Sequence, residues 1–227
     1  ITFGTGAFAL MVTGDEVINN PKLGLLPTVA WQKRGEDPVF AVDGGVYTAS
    51  AAINWARSLG LFSDFSEINS FCTPPAIESG LAFVPALAGL GCPYWDPHAR
   101  GAWFGLSLDH TSKQMVQSIL EGVAFRASEI LDAMNSCIPS KGPILIDGGM
   151  SKNPYFVQFF ADMVGREVCP ASMPELTGLG TIQLASDFLG HRPETILQFG
   201  SFKPEPEGDR SRKMFKKAIE MSRQWVT

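Results

Sequence analysis

Pro143-Ile144-Leu145-Ile146-Asp147-Gly148-Gly149 is an apolar run that ends in one acid and two glycines, and Asn153-Pro154 follows after three residues. A short apolar run bounded by turn residues is typical of a buried strand. Asparagine is a favoured helix N-cap, and proline suits the first helical position. The stretch therefore predicts a strand over residues 143–146, a glycine turn, and a helix that runs to about residue 164.

Periodicity outside this stretch predicts further strands and helices. Thr111 and Gln114 form a capping box before the helix with the clearest apolar stripe. The other predicted strands are two within residues 1–13, around Gly4-Thr5-Gly6, and one each at 28–34, 39–42, 81–85 and 167–169. Predicted helices occupy residues 47–58, 111–135 and 210–225, and residues 175–180 lead into a further helix that ends near residue 190. Antiparallel strands followed by alternating helices and strands indicate an α/β domain, a mixed sheet covered by helices. We expect a core over residues 1–192 and a charged segment with a last helix over residues 193–227.

Four glycine pairs share one predicted design, in which a strand meets one or two glycines and then a polar cap or a helix start. They are Gly4-Thr5-Gly6, Gly44-Gly45, Gly148-Gly149 and Gly178-Leu179-Gly180. Glycine lets a ligand approach the backbone, and a helix N-terminus offers N–H groups that suit phosphate. A structural turn is the better explanation for any single case, but four such turns together favour nucleotide binding. The chain has neither the P-loop nor the Rossmann fingerprint, and Asp43 and Asp147 are interpreted as turn or cap residues.

Composition excludes several other classes of protein. The net charge of −5 argues against a general polyanion binder, and we interpret the basic cluster of residues 210–217 as a solvated helix face. The 4 cysteines are dispersed and the 3 histidines form no H-x-x-x-H pair, so we expect reduced, buried thiols and no metal site.

Residues 1–12 lack the basic start of a signal peptide, and no stretch is long enough for a membrane span. The charged fraction of 18%, against roughly 25% in a typical soluble domain, fits a chain with one covered face.

Two longer motifs carry a family resemblance. Residues 83–101 include Gly91-Cys92-Pro93-Tyr94-Trp95-Asp96-Pro97, and Gly101-Ala102-Trp103-Phe104-Gly105-Leu106 is followed after seven residues by Gln114-Met115-Val116-Gln117-Ser118-Ile119-Leu120-Glu121. These motifs resemble the FGGY carbohydrate kinases, in the form found in the glycerol kinase branch. The glycine turns at Gly4, Gly148 and Gly178 fall in the family's order and spacing. The resemblance covers essentially the whole chain.

The resemblance implies an actin-like, ribonuclease H-like fold in which two lobes close on ATP, Mg²⁺ and a polyol. This chain is similar to the C-terminal lobe, which carries most of the nucleotide site, and the general-base aspartate of the family is expected upstream of Ile1. The residues implied to bind nucleotide are Gly4, Thr5, Asn54, Gly148, Gly149 and Asn153. Phe8 is implied to contact the polyol carbons. Ser50 and Asn54 stand where the family often has glycine and glutamine.

The implied function is ATP-dependent phosphorylation of glycerol to glycerol 3-phosphate by a cytoplasmic enzyme. A kinase of another sugar or polyol, and a non-catalytic actin-like module, remain as alternatives. The implied partners are glycerol or a similar polyol, the protein's own N-terminal lobe and a second copy of the chain, with no nucleic acid and no membrane. We expect the chain alone to be inactive and to expose an apolar face that includes Phe8 and parts of residues 88–101.

Overall fold

A mixed six-stranded sheet organises the computed structural model, which describes residues 1–173, 175–191, 197–205 and 209–225. Its strands are β1 (Thr2–Phe3), β2 (Ala7–Gly14), β3 (Leu26–Trp31), β4 (Val39–Val46), β7 (Ile144–Gly148) and β8 (Val168–Pro170). Their order is β3-β4-β2-β1-β7-β8, in which β1, β7 and β8 run parallel and the other neighbours are antiparallel. A separate antiparallel pair is formed by β5 (Ala82–Val84) and β6 (Ala102–Phe104).

Helices flank the sheet, as the sequence predicts. They are α1 (Ser50–Ser58), α2 (Ser112–Cys137), α3 (Pro154–Val164), α4 (Leu176–Phe188) and α5 (Asp209–Gln224). Helix α2 is buried on nearly all sides from Val116 to Met134, so it forms the centre of the core. Single 3₁₀ turns, which the sequence analysis missed, occupy Pro21–Leu23, Phe65–Ile68, Ala76–Ser79 and Gly149–Lys152. Within the described residues, no helix has the length and apolarity that a membrane crossing requires.

Both predicted helix starts with side-chain caps are confirmed. The Thr111 hydroxyl accepts the Gln114 N–H while the Gln114 carboxamide accepts the Thr111 N–H, which completes the capping box before α2. Asn153 Oδ1 accepts the Phe156 N–H at 2.8 Å at the start of α3, with Pro154 in the first position. Local chemistry therefore fixes both starts without help from distant residues.

The predicted turn at Gly44-Gly45 is wrong, because β4 continues through both glycines to Val46. A Cβ on Gly44 would come 2.6 Å from the Ile130 side chain of α2, and one on Gly45 would come 3.1 Å from the Phe8 ring. The lack of a side chain at both glycines therefore makes room for close neighbours on the two faces of the sheet. It does not serve a turn of the chain. The predicted turn at Gly178-Leu179-Gly180 is also wrong, since these residues lie inside α4.

Other boundaries differ from the predictions in smaller ways. Helix α1 begins at Ser50 rather than at Tyr47, because β4 continues to Val46 and the Ala49 N–H, which precedes the helix, donates to the Thr5 carbonyl. Strand β6 lies in a motif that the sequence analysis treated only as a signature. Cys92 and Cys169 are buried as predicted, but Cys72 is exposed. The predicted boundary at residues 192/193 lies outside the described residues.

The last helix packs against the core through one apolar face. Phe215, Ala218 and Ile219 are buried, and the Phe215 ring stacks on Phe125 of α2 at 4.5 Å between ring centroids. The basic residues of α5 are mostly exposed, which confirms the solvated face; they are Arg210, Arg212, Lys213, Lys216 and Lys217. The helix is thus amphipathic and part of the same packed body as the sheet.

Candidate functional site

A cavity of about 470 Å³ opens between the start of α1, the 3₁₀ turn Phe65–Ile68 and the segment that joins β7 to α3. Its apolar lining residues are Ile53, Phe65, Ile68, Leu120 and Met150. Its polar lining residues are Ser50, Asn54, Asn69, Lys152 and Asn153, and Gly149 completes the wall. Of the residues that the resemblance implied for nucleotide binding, the cavity therefore brings together Asn54, Gly149 and Asn153.

Asn153 holds two walls of this cavity together. Its Oδ1 caps α3, and its Nδ2 donates to the Ile68 carbonyl at 2.8 Å, across 85 residues of sequence. The side chain is almost completely buried, and both ends of the amide make protein hydrogen bonds. Asn153 therefore has an architectural function in the cavity wall, whatever else it contacts.

The adjacent glycines Gly148 and Gly149 have different surroundings. Gly148 has a φ of 91°, and a Cβ there would come 2.4 Å from the carbonyl oxygen of Phe3 on the neighbouring strand β1. Around Gly149 there is more space, since the nearest atom to a built Cβ would be Ser50 Oγ at 3.8 Å. Gly148 is thus required by the sheet, whereas Gly149 keeps open space beside Ser50.

The hairpin turn Gly4-Thr5-Gly6 is anchored to the start of α1. The Gly4 carbonyl accepts the Ser50 N–H at 3.0 Å, and the Thr5 carbonyl accepts the N–H groups of Ala49 at 2.8 Å and Ala51 at 3.2 Å. These N–H groups are consequently not available to phosphate, which corrects the expectation that this helix start offers them. The turn brings exposed Thr5 beside the end of the cavity that Ser50 lines.

Phe8 lies outside the cavity, on an apolar face of the sheet. Phe8, Leu10 and Val12 alternate with buried residues along β2, and each is about half exposed. The Phe8 ring covers Gly45, its partner on β4. Trp95, in the predicted loop of residues 88–101, is also 40% exposed, which confirms the expected exposure of Phe8 and of part of this loop.

Asp43 is a strand residue rather than the predicted turn residue. It pairs with Leu10 on one side and Leu26 on the other, and its Oδ1 has no hydrogen-bond partner among the described residues. Burial raises the pKa of this carboxyl above its ordinary value, and a hydrogen bond from the Gly44 N–H offsets part of that rise. The charged form of Asp43 is therefore unfavourable in the folded chain.

We expect Asp43→Asn to stabilise the 227-residue chain by about 2–4 °C in Tm at pH 7, since the neutral amide avoids the cost, about 1 kcal/mol, of holding a partly desolvated carboxylate ionised. A carboxyl with a raised folded pKa favours folding at low pH, and this contribution is lost as pH rises from the unfolded value through the folded value. The difference in Tm between variant and wild type should thus shrink as pH falls through that window. Thermal denaturation from pH 7 to pH 3.5 measures it.

Asp37→Asn, in the exposed turn between β3 and β4, is the matched control and should not change Tm. If Asp43→Asn lowered Tm at pH 7, a stabilising partner of the Asp43 carboxylate would have to exist.

Asp147 acts as a cap, as predicted, but for a distant helix. Its Oδ2 accepts the N–H of Leu176, the first residue of α4, at 3.3 Å. The described residues include no cluster of three His, Cys, Asp or Glu side chains that could hold a metal ion.

One wall of the cavity escaped the sequence analysis. Phe65, Ile68 and Asn69 lie in and after a 3₁₀ turn that Asp64 caps, with Glu67 accepting the Asp64 N–H at 2.7 Å. The sequence signal was present in Asp64-x-x-Glu67, which is a capping-box pattern with aspartate in the first position.

Comparison of the chain with known proteins identifies its family. The model for the C-terminal domain of the FGGY family of carbohydrate kinases matches residues 1–186. The chain belongs to the FGGY family of carbohydrate kinases. Its most similar relatives include a glycerol kinase of Clostridium perfringens (strain SM101 / Type A), 37% identical over 236 residues, and one of Thermus brockianus, 36% identical over 234 residues. Each match covers 99% of this chain and 47% of the relative, so the chain spans about half the length of the curated relatives it matches.

Solved structures agree with the family assignment. The crystal structure of Plasmodium falciparum glycerol kinase with ADP superposes with a TM-score of 0.78 and 28% identity, covering 97% of this chain and 46% of that chain. A ligand-bound xylulose kinase from Lactobacillus acidophilus superposes with a TM-score of 0.76 at 21% identity, covering 98% of this chain and 45% of that one, which shows the fold alone. The mixed sheet with flanking helices is thus the actin-like ATPase fold of FGGY C-terminal domains.

Proposed function

We propose that this chain is the nucleotide-binding lobe of an ATP-dependent kinase that converts glycerol to glycerol 3-phosphate. The observation that carries the proposal is the convergence of Asn54 of α1 with Gly149 and Asn153 of the segment between β7 and α3 on one cavity. Its volume lies in the range of about 300–1,000 Å³ found for small-molecule sites. The curated glycerol kinases at 36–37% identity support glycerol as the substrate.

The cavity suits a nucleotide in size and chemistry. Apolar side chains such as Ile53 and Leu120 offer a surface for a planar base, and the amides of Asn54 and Asn69 supply hydrogen-bonding groups. Ser50 Oγ is buried without a hydrogen-bond partner among the described residues, and Gly149 beside it leaves space for a ligand. The cavity thus combines an apolar surface with amide side chains and one unsatisfied hydroxyl, that of Ser50.

In the proposed reaction, this chain positions the two substrates rather than reacting covalently. The turn Gly4-Thr5-Gly6, at the Ser50 end of the cavity, would hold the phosphates, and Phe8 on the adjoining strand would contact the polyol carbons. Mg²⁺ bound to the nucleotide would neutralise charge that develops on the transferred phosphoryl group. The base that accepts the hydroxyl proton is proposed to come from a preceding lobe. Homo-oligomerisation and a cytoplasmic location remain predictions.

A substrate panel on the full-length protein tests the substrate. We expect glycerol to have a kcat/KM at least 100-fold above that of a pentulose, a hexulose or a hexonate, measured by coupled ADP release. A pentulose or hexonate that outperforms glycerol would overturn the glycerol assignment and leave a kinase of another carbohydrate. If no ATP or ADP binding were detectable by calorimetry at millimolar nucleotide, the chain would instead be a non-catalytic actin-like module.

A further inference from the structure

Residues 90–101 form an aromatic loop that is fastened on several sides. Cross-linked backbone hydrogen bonds close it, since Leu90 N–H donates to the Asp96 carbonyl at 2.8 Å and Asp96 N–H donates to the Leu90 carbonyl at 2.9 Å. The Trp95 indole N–H donates to the Gly24 carbonyl at 2.6 Å, and its ring meets Tyr47 edge-on at 6.2 Å between centroids. The loop is therefore ordered by contacts that are far apart in sequence.

A buried arginine supports the loop from below. Arg126 of α2 is fully buried, forms an ion pair with Glu129 and donates to the Cys92 carbonyl. Its guanidinium lies 4.7 Å from the centroid of the Tyr94 ring, and the Tyr94 hydroxyl donates to Glu129 at 2.8 Å. Tyr94 thus packs against the Arg126 guanidinium and donates a hydrogen bond to Glu129, the carboxylate that pairs with Arg126.

The last helix reaches the same loop from outside. Arg223 of α5 donates from Nε to Asp96 Oδ2 at 3.0 Å, and its guanidinium lies 5.2 Å from the Tyr94 ring centroid. Its neighbour Ser222 donates to the Arg100 carbonyl at 2.6 Å. These are contacts across more than 120 residues, so the conformation of the loop depends on where α5 docks.

The loop in turn supports the strand that lies under Phe8. A Cβ on Gly91 would come 2.3 Å from the Gly45 carbonyl oxygen, so the loop backbone packs directly on β4. Gly45 is the residue that the Phe8 ring covers. A continuous series of contacts therefore runs from Arg223 through Asp96, Leu90 and its neighbour Gly91 to Gly45 and Phe8.

We propose that Arg223 is a positioning residue of the polyol side of the site, acting through the loop of residues 90–101. The proposal rests on the proposed function in assigning Phe8 to the polyol. The nucleotide cavity has different walls and includes no residue of this loop or of α5 among its described lining. Loss of Arg223 should therefore affect the two substrates unequally.

The first arm of the test is kinetic. In the full-length protein, Arg223→Gln should raise the KM for glycerol about fivefold, the effect of losing one partly exposed ion pair and one cation–π contact, while the KM for ATP stays unchanged. Arg223→Lys, which keeps the charge, should restore part of the loss. Asp96→Asn should reproduce the part of the effect that comes from the ion pair, and the double variant should be no worse than Arg223→Gln, because that variant has already lost the same ion pair.

The matched control is Arg212→Gln on the same helix. Arg212 also pairs with a carboxylate, Asp132 Oδ2 at 2.8 Å, but it touches neither the loop nor Asp96 in the described contacts. Arg212→Gln should leave the KM for glycerol and the KM for ATP unchanged. Melting temperatures of all variants show whether a general loss of stability is involved.

The second arm is independent of catalysis. Hydrogen exchange in the full-length protein should show about fivefold faster exchange in residues 90–101 for Arg223→Gln, with α2 unchanged. Unchanged exchange in this segment, or equal effects of the Arg212 and Arg223 variants on both KM values, would overturn the inference. If wild type phosphorylates no polyol, the proposed function fails, and exchange alone then decides whether Arg223 positions the loop.

Discussion

Gly149→Val is expected to weaken ATP binding by the full-length protein at least 100-fold while leaving the fold intact. The Cβ itself fits, since its nearest neighbour would be Ser50 Oγ at 3.8 Å, and the φ of Gly149 is not in the left-handed region. The two γ-methyl groups would occupy space in the wall of the cavity that Asn54 and Asn153 share. Titration calorimetry with ATP, beside a thermal melt, measures both quantities.

Gly148→Val is the matched control, because it makes the same change one residue earlier. Gly148 has a φ of 91°, and the Phe3 backbone would lie 2.4 Å from the new Cβ. Strain and overlap of this kind cost about 3 kcal/mol or more, so this variant should lose stability rather than affinity alone. A folded Gly149→Val protein with wild-type affinity for ATP would remove Gly149 from the site.

The contrast between these neighbours shows what the sequence could predict and what it could not. The strand, the glycine turn and the Asn153-Pro154 helix start were all predictable. Each is determined by residues of one short stretch: an apolar run, two glycines, and a capping asparagine followed by proline. Whether a glycine serves a positive φ, close packing or a ligand depends on residues elsewhere in the chain. Gly44 and Gly45 resemble a turn in sequence, yet they lie in a strand against Ile130 and Phe8.

The candidate site was predictable only in part. The resemblance supplied Asn54, Gly149 and Asn153, and the structure brings these residues to one cavity. The turn from Phe65 to Asn69 had a local signal in the Asp64 capping box, but its place in the cavity wall depends on the Asn153 hydrogen bond to Ile68, across 85 residues. Contacts of this separation leave no periodic signal in one sequence, so pockets are harder to predict than the helices that border them.

The 227-residue chain alone is expected not to phosphorylate glycerol, with turnover at least 10⁴-fold below that of the full-length protein. A positioned base is worth ~10²- to 10⁴-fold, and holding both reactants in a closed, water-free site is worth more. Phe8, which would contact the polyol, lies on an open face and is 50% exposed. One lobe would leave the attacking hydroxyl unpositioned and let water compete.

The carboxylates of this chain that come nearest to the role of base have other functions. Asp43 Oδ1 is shielded from solvent, Asp147 accepts the N–H of Leu176 at the start of α4, and Asp96 is bound by Arg223. The Arg223 hydrogen bond lowers the pKa of Asp96, which makes that carboxylate a weaker base. None of these three is therefore suited to accept a proton from a polyol.

Coupled ADP release with glycerol, measured on the purified chain and on the full-length protein, tests this expectation. Calorimetry with ATP on the same samples shows whether the isolated chain still binds nucleotide, so that a lack of turnover is not simply a lack of binding. Glycerol-dependent turnover within tenfold of the full-length rate would mean that the chain contains its own base. Asp43→Asn, Asp96→Asn and Asp147→Asn would then identify it, because removal of the true base should cost ~10²-fold or more in kcat.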